Sequence, residues 1–291
     1  MQRLRSLLFA PGNDQRKLGK APALGADAVV FDLEDAVPAS QKAAARAAVH
    51  ATLRRGPYQM PILVRINAVT SPQLTGDLDA AITPNTAGVV VPKVESPGQL
   101  IEVAELIAER EHARNLTPGR IRIIALIETA TGVEHADVIS ATQGARLLRT
   151  ILGTADLAAD LGLPVGQHNP TLAYAAARLV MTARAGSLAA PLDAPYTHLD
   201  DHDGYRDDCR RSAASGMAGR VILHPDQLAS AHLAYGDGVS LDWHRRVVAA
   251  FEEAERAGAA SLRLKGEFID YAVYAASRRI LDQAHGVSHT G

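Results

Sequence analysis

Two acidic residues stand where apolar runs stop. Residues 122–129 read as a buried strand closing on Glu128, and 28 positions later the run at 150–156 closes on Asp156. Neighbouring strands that each finish on a carboxylate make a receptor for a divalent cation at one end of a sheet. Hard oxygen donors, with no adjacent histidine–cysteine cluster, favour Mg2+ or Mn2+ over zinc. Mg2+ takes one or two protein carboxylates and leaves its other positions to water and substrate. Glu128 and Asp156 are therefore expected as direct ligands, with Glu34 and Asp35 holding metal-bound waters. Arg65 offers a planar fork for a carboxylate. A metal beside an arginine suits a 2-oxo or 2-hydroxy acid, and stabilises oxyanions as a carbon–carbon bond breaks or forms.

Each residue also has a plainer reading. Asp32, Glu34 and Asp35 fit a solvated loop, Arg65 an ordinary ion pair, and Glu128 or Asp156 a helix cap. Lys93 fits a Schiff-base lysine, but the acids around it favour an ion pair. His224, before a proline, reads as structural, and so does Cys209, which no glycine-rich elbow flanks. Strand parity argues for convergence, because side chains alternate faces. Asp32 and Glu34 share a phase, as do Arg65 and Asn67, Lys93 and Glu95, Leu126 and Glu128, and Thr154 and Asp156.

Eight short apolar runs must position these groups, at 5–9, 28–33, 62–66, 88–91, 121–127, 147–152, 188–192 and 219–223. Helix-favouring stretches separate them, including 41–53, 97–111 and 171–185. Near-continuous apolar strands alternating with helices predict a covered parallel sheet, and eight repeats predict a closed (β/α)8 barrel. The alternative is an open doubly wound sheet, although no phosphate-binding glycine fingerprint follows the first strand. Barrel chemistry collects at the carboxyl ends of strands, where the polar residues fall. Residues 1–235 are expected to form the barrel. Residues 236–291 form a helical extension or lid that packs on a neighbouring subunit, with helices at 243–257 and 269–284 around a loop at 258–266.

The 291 residues are 47% hydrophobic with a formal charge of −2, which gives no broad attraction to nucleic acid or membrane. One cysteine precludes an internal disulfide and fits a reducing cytoplasm. The first ten residues are too short in apolar content for a signal peptide, and no run approaches the roughly 20 residues of a membrane helix. A soluble cytoplasmic protein is expected.

Seven motifs then occur in order. They are Arg5-Ser-Leu-Leu-Phe-Ala-Pro-Gly12, Val30-Phe-Asp-Leu-Glu-Asp-Ala-Val37, Arg65-Ile-Asn67, Pro92-Lys-Val-Glu95, Leu126-Ile-Glu-Thr129, the segment from Gly153 to Gly162, and His224-Pro-Asp-Gln227. Together they resemble the HpcH/HpaI aldolase superfamily, and within it the citrate lyase β-subunit-like group that includes malyl-CoA and citramalyl-CoA lyases. The resemblance implies a barrel of the phosphoenolpyruvate/pyruvate type, Mg2+, a coenzyme A thioester substrate and a homo-oligomer, trimer or hexamer. It makes Glu128 and Asp156 metal ligands and Arg65 and Glu128 oxo-acid contacts. Glu34, Asp35, Asn67 and Lys93 support them. Gly266-Glu-Phe-Ile-Asp270 resembles a tail segment, Gly-Lys-Met-Ile-Asp, whose aspartate is the catalytic acid/base delivered to a neighbouring subunit. Glu267 and Phe268 depart from it. Arg16, Lys17 and Lys20 are candidates for the CoA phosphates. The implied activity is cleavage or formation of a 3-hydroxyacyl-CoA. Alternatives are a citrate lyase β subunit acting on citryl-acyl carrier protein with α and γ partners, or a non-catalytic oxo-acid-binding regulator.

Overall fold

The computed structural model describes residues 4–142, 144–164, 169–236 and 241–284. They divide into two compact units, one ending at His232 and the other beginning at Leu233.

Eight parallel strands build the first unit: β1 (Ser6–Pro11), β2 (Ala28–Asp32), β3 (Ile62–Arg65), β4 (Gly88–Val91), β5 (Arg122–Ile127), β6 (Leu147–Leu152), β7 (Leu192–Asp193) and β8 (Gly219–Ile222). They pair in chain order and β8 returns to β1, so the sheet is the expected closed barrel and not the open alternative. Helices such as Lys42–Leu53, Pro97–Ala113 and Pro170–Ala185 connect them. Both faces of each strand are covered, which is why the strand bodies are almost wholly apolar.

Alternate residues share the barrel interior. Val30, Leu63, Val90, Ile124, Leu126 and Ile151 are buried in one cluster, and truncating one of its leucines or isoleucines to alanine costs about 2–5 kcal/mol. Two positions further along each strand, the period-2 pleat brings polar side chains to the same face: Asp32 after Val30, Arg65 after Leu63, Glu128 after Leu126. The β2–β3 ladder sets Asp32 directly opposite Arg65. The apolar layer is thus a floor, and the charged layer lies at the carboxyl end above it.

The seventh strand is shorter than expected and later in sequence. Of the expected run at 188–192 only Leu192 is in the strand, which Asp193 completes. The preceding helix wraps up at Ser187, which has φ +56°, while the Leu188 N–H returns to the Ala183 carbonyl. Pro191 then has no N–H to give a ladder. After β8 the short turn Pro225–Gln227 leads into the helix Leu228–Ala234.

The second unit holds the helix Leu241–Arg256, an antiparallel hairpin of β9 (Ser261–Leu264) and β10 (Glu267–Asp270), and the helix Tyr271–Ala284. The hairpin replaces the expected loop at 258–266, and the last helix starts two residues later than position 269. Lys265 and Gly266 both have positive φ, +48° and +95°, which is the backbone of a two-residue hairpin turn. Ile269 is buried with Val247 and Phe251, and Leu262 and Leu264 pack on that cluster. Among the described residues no helix is long and apolar enough to cross a membrane.

Candidate active site

Arg65 is the best-anchored side chain at the barrel mouth. Asp32 accepts its Nε–H at 2.7 Å on one carboxylate oxygen and its Nη2–H at 2.5 Å on the other. The guanidinium carbon lies 5.2 Å from the centre of the Phe9 ring, a cation–π contact. Glu34 Oε2 comes within 2.9 Å of Nη1. Burial opposes the arginine charge, but the hydrogen bond and charge of Asp32, with Glu34 and Asp35, outweigh it and raise its pKa.

Asp32 is only 1% exposed, so it is no solvated loop residue. Its oxygens also accept the N–H groups of Glu34 at 2.9 Å and Ala36 at 3.3 Å, fixing the turn that carries Glu34. Lys42 reaches under that turn and donates to the carbonyls of Leu33 and Glu34, both at 2.7 Å, and to Asn67 Oδ1 at 2.8 Å. Asn67 is buried, and its amide donates to Asp77 and to the Leu33 carbonyl. It therefore ties β3 to the neighbouring turn. Asp32, Lys42 and Asp77 complete the support, and only the acid-rich context of Asp32 marks any of them in the sequence.

Lys93 follows β4 in the left-handed region at φ +52°, a costly conformation for a non-glycine residue that recurs at functional sites. There its N–H donates to Glu128 Oε1 at 2.9 Å, while Nζ pairs with Glu34 at 3.0 Å and stands 3.9 Å from Asp35. The ammonium is engaged by acids, as an ion pair requires. Asp35 itself is exposed.

Glu128 is 2% exposed. Its carboxyl is pushed up to about 8, first by burial, then by the charges of Asp156 and Glu34. Room for it exists because residue 153 is glycine: a Cβ there would lie 2.5 Å from Glu128 Cβ and 2.7 Å from Oε2. Asp156 does not extend β6. The helix Thr154–Asp160 begins first, and Asp156 sits in its opening turn, half-buried. The strand-parity argument thus fails for Thr154 and Asp156, although the charge of Asp156 still acts on Glu128. Glu34 is also raised by burial, against the pull of Arg65.

These groups fit a hydrated divalent cation. Among the described residues no three His, Cys, Asp or Glu side chains surround a common metal position; the carboxylate pair Glu128 and Asp156 could hold one, since Mg2+ needs only one or two protein carboxylates. Glu34 Oε2 is buried and no hydrogen-bond donor is aimed at it, so it could accept from a water on such a metal. Five carboxylates (Asp32, Glu34, Asp35, Glu128, Asp156) face two cations, Arg65 and Lys93.

The remaining candidates make none of these contacts. Asp270 belongs to the second unit, at the end of β10, where Oδ1 accepts the Val273 N–H at 3.0 Å and caps the last helix. Arg16, Lys17 and Lys20 are exposed on or beside the helix Gln15–Lys20. His224 caps the turn Pro225–Gln227, and Cys209 is buried beside Arg220. A cavity of about 180 Å³ near the ends of β6–β8 is lined by Thr154, Asn169, Tyr196 and Arg220, and by none of Arg65, Glu128 or Asp156.

The model of the HpcH/HpaI aldolase/citrate lyase family matches residues 5–225. The chain is 35% identical to a citrate lyase subunit beta-like protein of Deinococcus radiodurans, over 96% of each chain. It is 31% identical to a (3S)-malyl-CoA thioesterase of Cereibacter sphaeroides, over 98% of this chain and 95% of that one. Among solved structures, CitE from Mycobacterium tuberculosis in complex with magnesium, acetoacetate and coenzyme A superposes with a TM-score of 0.77 at 29% identity, covering 98% of this chain and all of that one. The chain belongs to the HpcH/HpaI aldolase/citrate lyase family.

Proposed function

We propose that this chain is a Mg2+-dependent carbon–carbon lyase that cleaves, or forms, a 3-hydroxyacyl-CoA such as malyl-, citramalyl- or citryl-CoA. The observation that carries it is the juxtaposition at the mouth: an arginine held in a carboxylate fork beside a buried, electrostatically frustrated Glu128. The magnesium and coenzyme A bound by the M. tuberculosis CitE support the cofactor and the substrate class.

Glu128 and Asp156 would hold the metal, which would supply Lewis-acid stabilisation of the oxygen that becomes the oxo group. Arg65 pairs with the carboxylate of the departing oxo acid. Glu34 and Asp35 would accept hydrogen bonds from water on the metal, and Lys93 keeps Glu34 in place. As the carbon–carbon bond breaks, the substrate hydroxyl gives its proton to solvent water and becomes the oxo group, the acyl-thioester fragment leaves as its enolate, and protonated Asp270 of a neighbouring subunit protonates the enolate carbon and is itself reprotonated from solvent. In the forming direction Asp270 removes the same proton. This assignment requires a homo-oligomer, and the single cysteine, buried at position 209, suits a reducing cytoplasm.

The test is a turnover assay of the three thioesters with and without Mg2+. Equal yields of acyl-CoA and 2-oxo acid, dependent on metal, are expected. Free CoA with an intact hydroxy acid would instead assign hydrolysis, and no metal-dependent turnover would refute the lyase reading.

A further inference from the structure

We infer that Asp32 is a positioning residue for oxo-acid recognition: it occupies the side edge of Arg65 and leaves the Nη1–Nη2 end edge facing the substrate. The inference rests on the reading of Arg65 as the oxo-acid contact.

A guanidinium has five N–H groups on two usable edges. The side edge, Nε with Nη2, is filled by the two oxygens of Asp32 at 2.7 and 2.5 Å. Phe9 sets the plane of the group from one face. Glu34 approaches Nη1 to 2.9 Å in charge contact, but its Oε2 lies where no N–H is directed at it. No acceptor among the described residues takes an Nη1–H, so the end edge keeps donors for a second carboxylate. Bidentate pairing is then still available, and it is the strong mode for an arginine with a carboxylate.

The choice of edge follows from the fold. Asp32 and Arg65 are ladder partners on adjacent parallel strands, so their backbones fix the separation. The same Asp32 oxygens hold the N–H groups of Glu34 and Ala36. One buried carboxylate therefore sets both the oxo-acid arginine and the acid that faces the metal water. Without it, a guanidinium that is 13% exposed is free to turn its side edge onto Glu34.

The experiment compares wild type with Asp32→Asn, Arg65→Ala and the double variant. Oxaloacetate binding is measured by calorimetry in the presence of Mg2+, Mg2+ binding is measured alone, and the KM values for oxo acid and acyl-CoA are taken in the condensing direction. Asp32→Asn is expected to weaken oxaloacetate at least tenfold and raise the oxo-acid KM similarly. Affinity for Mg2+ should fall by less than the affinity for oxaloacetate, through the Glu34 turn, and the acyl-CoA KM should stay within threefold. In the Arg65→Ala background it should add nothing, because the two residues act as one unit. The slowly exchanging Arg65 Nε–H proton signal of the ligand-free protein should vanish in Asp32→Asn. If Asp32→Asn fails to fold, Asp32→Ser is used with the same expectations. Unchanged oxaloacetate binding in the Asp32 variants, or losses that add across the double variant, would overturn the inference while Arg65 keeps its role. An Arg65→Ala protein that binds oxaloacetate like wild type would overturn the role of Arg65, and the inference with it.

Discussion

Gly153 and Glu128 face each other across the ends of β5 and β6 at a separation that excludes any side chain at position 153. A Cβ there would stand 2.7 Å from the Glu128 carboxylate oxygen Oε2, well inside contact distance. The glycine is what allows a buried carboxylate to sit in the charged layer of the mouth. Gly153→Ala should push Glu128 off its position and weaken Mg2+ binding at least tenfold, with a smaller effect on thermal stability. Calorimetric Mg2+ titration checks this, and an unchanged affinity would mean that Glu128 is not the ligand.

Glu128 also makes the metal-free protein sensitive to pH. Its ordinary value of 4.5 is raised to about 8 in the folded state. Between these limits the native protein holds a proton that the unfolded chain has released. Stability is therefore greatest below about 4.5 in this respect and falls as pH rises through 8. Thermal unfolding without metal should show that decline, Glu128→Gln should flatten it, and saturating Mg2+ should offset it above neutrality by binding the charged form. A decline of the same slope in Glu128→Gln would assign it to other groups.

Arg65→Lys should be a poor replacement. An ammonium cannot fill the Asp32 fork and present a second edge as well. Loss of a bidentate charge-assisted pair predicts kcat/KM lower by about two orders of magnitude, measured on whichever thioester is cleaved best. Near-normal activity would show that charge alone suffices there.

Asp270 serves as a helix cap and, in the proposed mechanism, as an acid/base. Asn caps about as well as Asp but cannot transfer the proton. Asp270→Asn should thus keep the melting temperature and oxaloacetate affinity while lowering kcat by about 10²–10⁴. Retained kcat would remove Asp270 from the chemistry.

The barrel was legible because strands buried on both faces are continuously apolar, so eight such runs stand out between helices. Glu128 and Arg65 were legible for the same reason, being charges at the ends of strands whose alternate residues fill the lumen. Parity failed for Asp156, because the strand ends at Leu152 and a helix starts at Thr154, so the period of two no longer holds. Lys42 was not legible. It contacts the Glu34 turn only through space, from the start of a helix whose composition gives no hint of it. The β9–β10 hairpin was hidden by a Lys265-Gly266 turn that lacks the usual Asn or Asp, and by strands of four residues each.

The most direct test of the account is a crystal structure with Mg2+ and oxaloacetate bound. It should show the metal on the carboxylates of Glu128 and Asp156, with the oxaloacetate carboxylate against the free end edge of Arg65. A metal bound away from Glu128 and Asp156, or an oxo acid that does not touch Arg65, would contradict it.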